Sequence, residues 1–433
     1  MSNVVPAEGF SALSQWLRWL ENTHPEQEMD FGLDRIRVIA EVMGLLRPSP
    51  FVITVAGTNG KGSTAAILEA ILRANGHTVG VFTSPHFLRF NERIRVNGEA
   101  VADQPICEAF NAIHACRGAT VLTYFENAFL AALYCFALQP LDYLILEVGL
   151  GGRLDAVNVI DPDVSVMTTI GLDHQDYLGY SLEAIGKEKA GIMREGRPTI
   201  YGDQSMPFSV LEKSLAVKAP LFRRGHEFRV EQKGEQWFWS GQSAEGGRIE
   251  HNGLPLPALE LDNAATALQA LQFLPMPVTR TSIEAGLKAV TLVGRAQRLQ
   301  WRNASGQLID VLLDVSHNPQ AVERLANQLK RADVTGKIHA VWAMYSDKDH
   351  VSVIDLLSAQ IHRWTIAALD SPRGLSVAAL GGALSRAQAL INTASDVVSG
   401  FHQAVNEAEP GDLVLVGGSF MTVAAVMSLV EKN

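Results

Sequence analysis

Cysteines are scarce in this sequence, and the three that occur form no metal-binding or disulfide pattern. Cys107, Cys116 and Cys135 are spread over 433 residues without a C-x-x-C pair. An odd number at such spacings resembles neither a disulfide framework nor a cysteine-based zinc site. Thiols of this kind fit a reducing compartment, so we expect the protein to work in the cytoplasm.

Segments that target or cross membranes are also missing. The first residues, MSNVVPAEGF, lack the basic stretch followed by an apolar run that defines a secretory signal. No stretch reaches the roughly 18 uninterrupted apolar residues of a membrane-spanning helix. We therefore expect neither a signal peptide nor a membrane partner.

Positive charge is in deficit along the chain. The sequence has 36 Lys and Arg residues against 46 Asp and Glu residues, which gives a formal net charge of −10. An acidic chain of this kind shows no basic footprint for nucleic acid or anionic lipid. Nucleic acid is therefore not expected as a partner, and any anionic ligand must be bound by a local site.

Hydrophobic residues, in contrast, are plentiful and support more than one domain. They make up 47% of the chain against 19% charged residues, a composition typical of a soluble globular protein with a large core. The length exceeds that of one ordinary domain. The pattern of strands and helices restarts near Val293–Arg295. We predict an N-terminal domain over residues 1–295 and a C-terminal domain over residues 296–433.

Strands and helices alternate in the first predicted domain. Apolar runs at 51–56, 141–148 and 163–170 are separated by helical stretches that include 63–74 and 125–137. Apolar strands with helices between them predict a parallel sheet that is covered on both faces. The first domain is therefore expected to be of the P-loop type, with a mostly parallel sheet.

A polar, Gly-rich stretch at 232–252 interrupts this pattern and predicts an antiparallel meander. Beyond residue 295 the alternation returns, with strands predicted at 309–314, 337–344, 363–369 and 412–418. The predicted fold class is α/β, in which a P-loop-type domain is followed by a smaller Rossmann-like α/β domain.

The stretch GTNGKGST, residues 57–64, is the sharpest local signal and lies between a predicted strand and a predicted helix. Glycines let main-chain N–H groups turn toward a phosphate, and the helix N-terminus adds partial positive charge. Lys61 would supply a full positive charge. The match to the usual P-loop is imperfect, because Val55 replaces its first glycine and Gly62 separates Lys61 from Ser63. The alternative is a glycine-rich turn with a solvated lysine, but the strand–loop–helix context favours nucleotide binding.

Acidic and imidazole groups follow two other predicted strands. Glu147 ends one strand, and Asp173 and His174 lie just beyond another. The carboxyl ends of parallel strands share one edge of a sheet, where ligands bind. Carboxylate oxygens suit Mg²⁺, whereas imidazole is a less usual ligand for it. A surface glutamate and a loop histidine satisfied by the main chain are the alternatives.

Two further groups have simple structural interpretations. Lys187 and Lys189 lie in a short helix that Ser181 opens, and their spacing alone indicates solvated lysines. Asp314 ends a strand and begins the polar cluster DVSHNP. That cluster suits a ligand-binding edge, but a capping turn for a helix beginning near Gln320 would also explain it.

Nine short motifs occur in one order along the chain, and together they carry a family resemblance. The motifs are GTNGKGS (57–63), SPH (84–86), LTYFE (122–126), LEVGLGGRLDA (146–156), LDH (172–174), EKAGI (188–192), GR (294–295), DVSHNP (314–319) and GGSF (417–420). From about Trp16 to the C-terminus, the sequence resembles the dihydrofolate synthase/folylpolyglutamate synthase family of the Mur-ligase superfamily.

This resemblance implies an ATP-dependent ligase. ATP would phosphorylate the carboxylate of dihydropteroate, or the γ-carboxyl of a reduced folate. The amino group of L-glutamate would then attack the acyl phosphate and release phosphate. Positioning and charge neutralisation at the γ-phosphate would account for the catalysis. The family expectation is a monomer that acts on small molecules.

The resemblance also assigns roles for ATP and Mg²⁺. Lys189 resembles the family's carbamylated lysine, whose added carboxylate would help to bind a second Mg²⁺. The catalytic residues implied are Lys61, Lys189, Arg295 and His317. The metal ligands implied are Ser84, Glu147, His174 and modified Lys189. The nucleotide contacts implied are Gly57, Thr58, Asn59, Gly60, Lys61, Gly62, Ser63, Asn263, Arg295 and Asp314.

Three segments resemble the dihydropteroate-binding parts of the bifunctional bacterial members. Phe125 would stack on the pterin and Asp155 would hydrogen-bond its ring nitrogens. Glutamate is expected to meet the C-terminal domain near Ser419. The acceptor-binding residues implied are Glu28, Met29, Asp30, Phe31, Thr123, Tyr124, Phe125, Glu126, Leu154, Asp155 and Ala156.

Three alternatives are open at this stage. A sister Mur ligase of cell-wall synthesis would carry a sizeable N-terminal domain, for which a phosphate loop beginning at Gly57 leaves little room. An enzyme that only extends folates is disfavoured by the LTYFE and RLDA segments. A regulatory P-loop NTPase of the GTPase type would show an N-K-x-D motif, which SDKD at 346–349 does not match.

Overall fold

The computed structural model describes residues 9–25, 30–331 and 334–430. These residues form two compact units, which fall within Met1–Gly171 with Gln175–Val290, and within Leu172–His174 with Thr291–Asn433. The predicted domain boundary after Arg295 lies a few residues beyond this change of unit, and as a functional division it stays a prediction.

An eight-stranded sheet organises the first unit. The strand order is β4-β3-β2-β5-β1-β6-β7-β8. All neighbours in it are parallel except the edge pairs β2–β3 and β3–β4. Its strands are β1 (Phe51–Ala56), β2 (Val79–Phe82), β3 (Ile94–Val96), β4 (Glu99–Ala100), β5 (Tyr143–Glu147), β6 (Val164–Met167), β7 (Thr199–Tyr201) and β8 (Leu221–Arg223).

Helices flank this sheet, and short 3₁₀ turns occur at Phe90–Arg93, Ala156–Val159 and Ala190–Ile192. The helices are α1 (Leu13–Thr23), α2 (Asp34–Val42), α3 (Lys61–Ala74), α4 (Asp103–Arg117), α5 (Tyr124–Ala137), α6 (Gln175–Leu178), α7 (Leu182–Lys189), α8 (Phe208–Val217), α9 (Leu261–Leu271) and α10 (Arg280–Ala289).

Strand β1 shows why the apolar pattern specifies this architecture. Its sequence FVITVA is apolar at five of six positions, and every residue after Phe51 is buried. A strand that is buried on both faces has no polar side to expose, and parallel neighbours covered by helices provide that environment. Strands β5 and β6 flank it in parallel register.

The predicted meander is present as a separate antiparallel sheet of three strands, in the order β11-β10-β9. Two tryptophans of β10, Trp237 and Trp239, are buried. Their ring N–H groups donate to the main-chain oxygens of Pro255, at 2.8 Å, and Ala265, at 3.1 Å. The strands are β9 (Arg229–Lys233), β10 (Gln236–Gln242) and β11 (Arg248–Pro255).

A six-stranded sheet organises the second unit, in the order β12-β13-β17-β14-β15-β16. Only the edge strand β12 is antiparallel to its neighbour. The strands are β12 (Gln297–Arg302), β13 (Leu308–Asp314), β14 (Ile338–Trp342), β15 (Arg363–Ile366), β16 (Leu390–Thr393) and β17 (Leu413–Gly417). The helices are α11 (Pro319–Arg331), α12 (His350–Leu357), α13 (Val377–Arg386), α14 (Val397–Glu407) and α15 (Phe420–Val430).

The predicted α/β class is confirmed, with a mostly parallel sheet in each unit. Among the helices of the described ranges, none is long and apolar enough to cross a membrane.

Candidate active site

The phosphate-loop candidate directly follows β1 and precedes α3. Gly57 has a φ of +151° and Gly60 a φ of +86°. A Cβ atom at Gly57 would overlap the hydroxyl of Thr168, and one at Gly60 would overlap the side-chain oxygen of Asn263. The loop therefore needs glycine at both positions, for backbone conformation and for space.

Two threonines that the sequence analysis did not single out form hydrogen bonds with the main chain of this loop. Thr168 donates its hydroxyl to the Asn59 oxygen at 2.6 Å, and the Thr169 hydroxyl accepts from the Asn59 N–H at 3.1 Å. Thr58 accepts a hydrogen bond from the Gly171 N–H at 3.0 Å. The only sequence signal for them is a pair of polar residues directly after the buried strand β6.

Lys61 is folded back over its own loop. Its ammonium donates to the main-chain oxygens of Gly57, at 3.1 Å, and Thr58, at 3.4 Å. The alternative of a freely solvated lysine does not fit these contacts. An ammonium held against the main chain of a glycine-rich loop can contact the oxygens of a phosphate bound there.

Lys189 ends helix α7 and is buried, with 4% of its surface exposed. Its ammonium donates to the Gly57 oxygen at 3.0 Å. The interpretation of Lys189 as a solvated lysine, based on spacing alone, is therefore wrong. Lys187 of the same helix is exposed, as predicted. The difference arises because α7 turns one side toward the phosphate loop.

Glu147 and Ser84 lie beside the loop, at the carboxyl ends of β5 and β2. Glu147 is opposite Val55 in the parallel register of β5 and β1. Its carboxylate is buried and accepts a hydrogen bond from the Ser84 N–H at 3.3 Å. The alternative of a surface glutamate is wrong. Carboxylate and hydroxyl oxygens next to a phosphate loop fit the ligand preference of Mg²⁺.

No group of three or more His, Cys, Asp or Glu side chains gathers within the described ranges to hold a metal ion. A Mg²⁺ ion keeps several waters and is commonly shared with substrate phosphates. The site would therefore combine a few protein oxygens with those of the nucleotide. His174 belongs to the second unit by its contacts, and its role as a ligand stays a prediction.

The LTYFE segment forms the start of α5 through reciprocal capping. The Thr123 hydroxyl accepts from the Glu126 N–H at 3.1 Å, and the Glu126 carboxylate accepts from the Thr123 N–H at 2.7 Å. Arg35 donates to the same Glu126 oxygen at 2.8 Å. Glu126 therefore ties the segment around residue 35 to the start of α5, and Tyr124 is buried behind it.

Phe125 and Asp155 both lie beside Gly149. A Cβ atom at Gly149 would lie 2.7 Å from the Phe125 ring and 3.3 Å from an Asp155 oxygen. Burial raises the pKa of Asp155 to about 6, although the N–H groups of Leu150 and Val157 and the charge of Lys61 act in the opposite direction. An aromatic face beside a buried carboxyl can hold a flat heterocycle that carries N–H groups.

The structure also describes most of the other predicted acceptor residues. Leu154 is half-buried and Ala156 is buried in the same loop. Asp30 is paired with Arg35 at 2.7 Å, and Phe31 lies 5.8 Å from the Tyr177 ring. Glu28 and Met29 lie outside the described residues.

Asn263, the predicted nucleotide contact of the first unit, is buried at the start of α9, facing Gly60. The preceding residue, Asp262, forms a two-point ion pair with Arg224 at 2.6 and 2.7 Å. This pair fixes the beginning of the helix, and with it the position of the Asn263 amide.

The predicted residues of the second unit cluster around the end of β13. The Arg295 guanidinium lies over the Phe420 ring, 5.5 Å from its centre, and His317 lies 6.4 Å from the same ring. Asp314 accepts from the N–H groups of Ala296 and Ser316, both at 2.9 Å. Arg295, Asp314 and His317 are thus brought together, as predicted.

Two turns in this region also have capping roles. Asn318 accepts from the Ala321 N–H at 3.0 Å, so the alternative of a capping turn for α11 is confirmed. Ser419 is buried, and its hydroxyl accepts from the Thr422 N–H at 3.1 Å. The Ser419 side chain therefore supports the start of α15, and the prediction that it meets glutamate stays a prediction.

Comparisons with known proteins decide the family. Residues 55–202 match the Mur ligase middle domain, and residues 297–420 match the glutamate ligase domain of Mur ligases. The dihydrofolate synthase/folylpolyglutamate synthase of Escherichia coli K12 is 41% identical over 423 residues, which cover 98% of this chain and 96% of the relative. The chain belongs to the dihydrofolate synthase/folylpolyglutamate synthase family. The predicted resemblance is confirmed.

Solved structures of family members agree over the whole fold. The E. coli FolC structure in complex with DHPP and ADP has a TM-score of 0.91 and 40% identity, and the match covers 98% of each chain. A Yersinia pestis family member complexed with AMPPNP and a Mn ion has a TM-score of 0.89 and 42% identity, covering 97% of this chain and 98% of the other. The prediction of an ATP-dependent Mur-type ligase is therefore confirmed. The roles of individual residues stay predictions.

Proposed function

We propose that this chain joins L-glutamate to dihydropteroate to give dihydrofolate, and adds further glutamates to the γ-carboxyl of reduced folates. The observation that carries the proposal is the pair formed by Phe125 and Asp155, in one unit with the phosphate loop. It supplies an aromatic face and a carboxyl for a pterin. Family membership at 41% identity supports the same acceptor.

The phosphate loop, Gly57–Ser63, would hold the phosphates of ATP. Its main-chain N–H groups and the N-terminus of α3 favour an anion, and Lys61 adds a full charge. The acceptor carboxylate attacks the γ-phosphorus and ADP leaves. The amine of glutamate then attacks the carbonyl carbon, the bond to phosphate breaks, and an amide forms after loss of a proton. Lys61 and Arg295 would neutralise the negative charge that moves in the first step.

Ser84 and Glu147 would hold Mg²⁺ in the first unit. The bound ion would neutralise phosphate charge and orient the γ-phosphate. The resemblance adds His174 and a carbamylated Lys189 as ligands, with a second ion. The burial of Lys189 against Gly57 supports a role at the nucleotide, because a lysine with no such role would place its ammonium in water.

Asp155 would recognise the acceptor. With a pKa of about 6 it is mainly ionised at pH 7, so it accepts hydrogen bonds from ring N–H and amino groups. Phe125 would stack on the ring and exclude water from these hydrogen bonds. Asn263, Asp314 and His317 would complete the nucleotide and glutamate contacts, as the resemblance implies.

The enzyme would work as a monomer in the cytoplasm. All three cysteines are free thiols, and Cys107 and Cys135 are buried, which suits a reducing compartment. Size-exclusion chromatography with light scattering tests the oligomeric state, with a mass near 47.0 kDa expected.

The test of the proposed function is glutamate-dependent ADP release with two acceptors. Release with both dihydropteroate and tetrahydrofolate supports the bifunctional enzyme. Release with tetrahydrofolate alone would reassign the chain to folate extension and contradict the roles given to Phe125 and Asp155.

A further inference from the structure

Asp173 is a buried carboxylate that none of the predicted roles uses. It lies in the tripeptide Leu172–His174, which groups with the second unit, and 8% of its side chain is exposed. Its Oδ1 accepts from the Lys348 ammonium at 2.6 Å and from the His174 N–H at 2.8 Å. Its Oδ2 accepts from the Asn318 amide at 3.0 Å and lies 3.5 Å from His317 Nε2.

These contacts use both oxygens of the carboxylate. A buried charge is tolerated only when it is paired and hydrogen-bonded, and Asp173 meets both conditions. The Lys348 side chain is equally enclosed, with 5% of its surface exposed. Burial alone would raise the pKa of Asp173, but its hydrogen bond to His317 and the charges of His317, Lys348 and His174 hold this pKa well below its usual range.

His174 needs such support, because its φ of +51° lies in the left-handed region that residues other than glycine rarely adopt. The Asp173 carboxylate accepts the N–H of this residue and so stabilises the turn, as an aspartate commonly does in a tight turn. The same side chain thus contacts the main chain of one predicted site residue, His174, and the ring of another, His317.

We propose that Asp173 is a positioning residue, whose carboxylate holds His174, His317, Asn318 and Lys348 in one arrangement. The inference rests on the proposed function, since His174 and His317 are site residues only through it. Partners of this kind orient metal ligands and reacting side chains without touching the substrate, and their substitution commonly lowers metal affinity or activity about 10–100-fold.

Asp173→Asn is the informative substitution, because it keeps the size of the side chain and changes its donors. An amide offers one acceptor oxygen and one NH₂ group, whereas Lys348 and Asn318 both donate to the carboxylate of Asp173. Whichever way the amide turns, its NH₂ group faces either Lys348 or Asn318. The variant therefore loses the arrangement without creating a cavity.

Asp412 provides a matched control in the same unit. It is also a buried carboxylate and lies 3.0 Å from His339 Nε2, at the amino ends of β14 and β17. It also accepts from the Lys337 N–H at 2.7 Å. The predicted site residues Asp314 and His317 lie at the carboxyl end of β13, which runs parallel to β17, so Asp412→Asn tests a buried carboxylate at the opposite end of these strands.

The experiment measures Mn²⁺ binding to the full-length protein with AMPPNP by electron paramagnetic resonance, alongside kcat and the KM for ATP. Asp173→Asn is expected to weaken Mn²⁺ binding and to lower kcat, each about 10–100-fold, with the KM for ATP changed less than about threefold. Asp412→Asn is expected to lower the melting temperature and to leave Mn²⁺ binding and kcat unchanged.

A swap variant tests the contact itself. Asp173→Asn combined with Asn318→Asp restores a carboxylate–amide pair, and an aspartate at 318 still caps α11. The double variant is expected to regain about tenfold in Mn²⁺ affinity over Asp173→Asn. If Asp173→Asn does not fold, Asn318→Ser removes one donor, keeps the cap, and is expected to weaken Mn²⁺ binding several-fold.

Three results would overturn the proposal. They are unchanged Mn²⁺ affinity and kcat in folded Asp173→Asn, no gain in the folded swap variant, or equal losses in Asp412→Asn. Because Mn²⁺ binding is measured without turnover, a wild-type protein that binds Mn²⁺ yet shows no ligase activity would contradict the proposed function alone.

Discussion

The ammonium of Lys189 donates a hydrogen bond to the main-chain oxygen of Gly57, 3.0 Å away, from a position that is almost fully buried. A lysine placed here meets the phosphate loop at its first residue. Burial of an ammonium is unfavourable unless its charge is used or its chemistry is changed, for example by carbamylation.

Lys189→Ala is therefore expected to lower kcat about 10²–10³-fold, by removing a group that contacts the nucleotide loop. Lys187→Ala, on the exposed side of the same helix, is the matched control and is expected to keep wild-type kcat. Carbon-13 NMR at neutral pH in labelled bicarbonate would detect the carbamate carbon of a carbamylated lysine in the wild type and not in Lys189→Ala. Wild-type kcat in Lys189→Ala would remove Lys189 from the mechanism.

Gly57→Ala should destabilise the fold and abolish nucleotide binding. The added methyl group would overlap the Thr168 hydroxyl, and the φ of +151° is unfavourable for alanine. Strain of this kind costs about 1–3 kcal/mol, measured as a loss of unfolding free energy in urea.

Gly76→Ala separates the effect of backbone strain from the effect of steric overlap. Gly76 also has a positive φ, +86°, but a Cβ atom there has no neighbour within 4 Å. It should lose about 1 kcal/mol of stability and keep its affinity for ADP. Equal losses of ADP affinity in the two variants would show that the close approach of Gly57 to Thr168 is not needed for nucleotide binding.

The acceptor site should respond to pH through Asp155. Its pKa in the folded protein, about 6, lies above the ordinary value of 3.8, so the folded state holds this proton more tightly than the unfolded chain. Folding stability from this group is therefore highest below pH 4 and falls by about 3 kcal/mol as the pH rises through 6.

Asp155→Asn removes the loss of folding stability that accompanies ionisation of the buried carboxyl. The variant is expected to lose less stability than the wild type between pH 4 and pH 7 in urea unfolding, by about 2–3 kcal/mol. Parallel pH dependences in the two proteins would show that Asp155 does not titrate in this range.

Binding of dihydropteroate should weaken as the pH falls, whereas the folding stability contributed by Asp155 increases. A protonated Asp155 accepts fewer hydrogen bonds, so the KM for dihydropteroate is expected to rise about tenfold from pH 7 to pH 5. The KM for ATP serves as the internal control. A KM for dihydropteroate that is independent of pH over this range would argue against a direct contact.

Arg295 should depend on Phe420, because its guanidinium lies over that ring. Phe420→Leu is expected to raise the KM for ATP about three- to tenfold, through loss of a cation–π contact worth about 1 kcal/mol. Phe420→Tyr keeps an aromatic face and should behave like the wild type. Equal KM values in Phe420→Leu and the wild type would mean that Arg295 holds its position by other means.

Much of the fold could be predicted from the sequence, because its central strands are buried on both faces. The run FVITVA gives β1 its observed bounds, and the Gly-rich segment at 232–252 forms the predicted meander. Strand β12 lacks the continuous apolar run that marks the central strands. Its residues alternate between exposed and half-buried, as expected at an antiparallel edge. Strands β7, β8 and β16 are three or four residues long and carry too little pattern.

The site is harder to predict from the sequence than the fold, because the contacts that define it join residues far apart along the chain. Lys189 and Gly57 are 132 residues apart, and spacing within α7 cannot reveal their contact. Thr168 supports the phosphate loop from a position directly after strand β6. Only the whole set of ordered motifs, matched to a family, pointed to Lys189.

The most direct test of the central claim is ADP release by the purified protein with Mg-ATP and L-glutamate, comparing dihydropteroate with tetrahydrofolate. The wild type is expected to release ADP with both acceptors, each strictly dependent on glutamate. Asp155→Asn should lose about 10²-fold in kcat/KM with dihydropteroate, because a site built to hydrogen-bond the pterin is left with an unmatched group. No glutamate-dependent release with dihydropteroate from the wild-type protein would contradict the account.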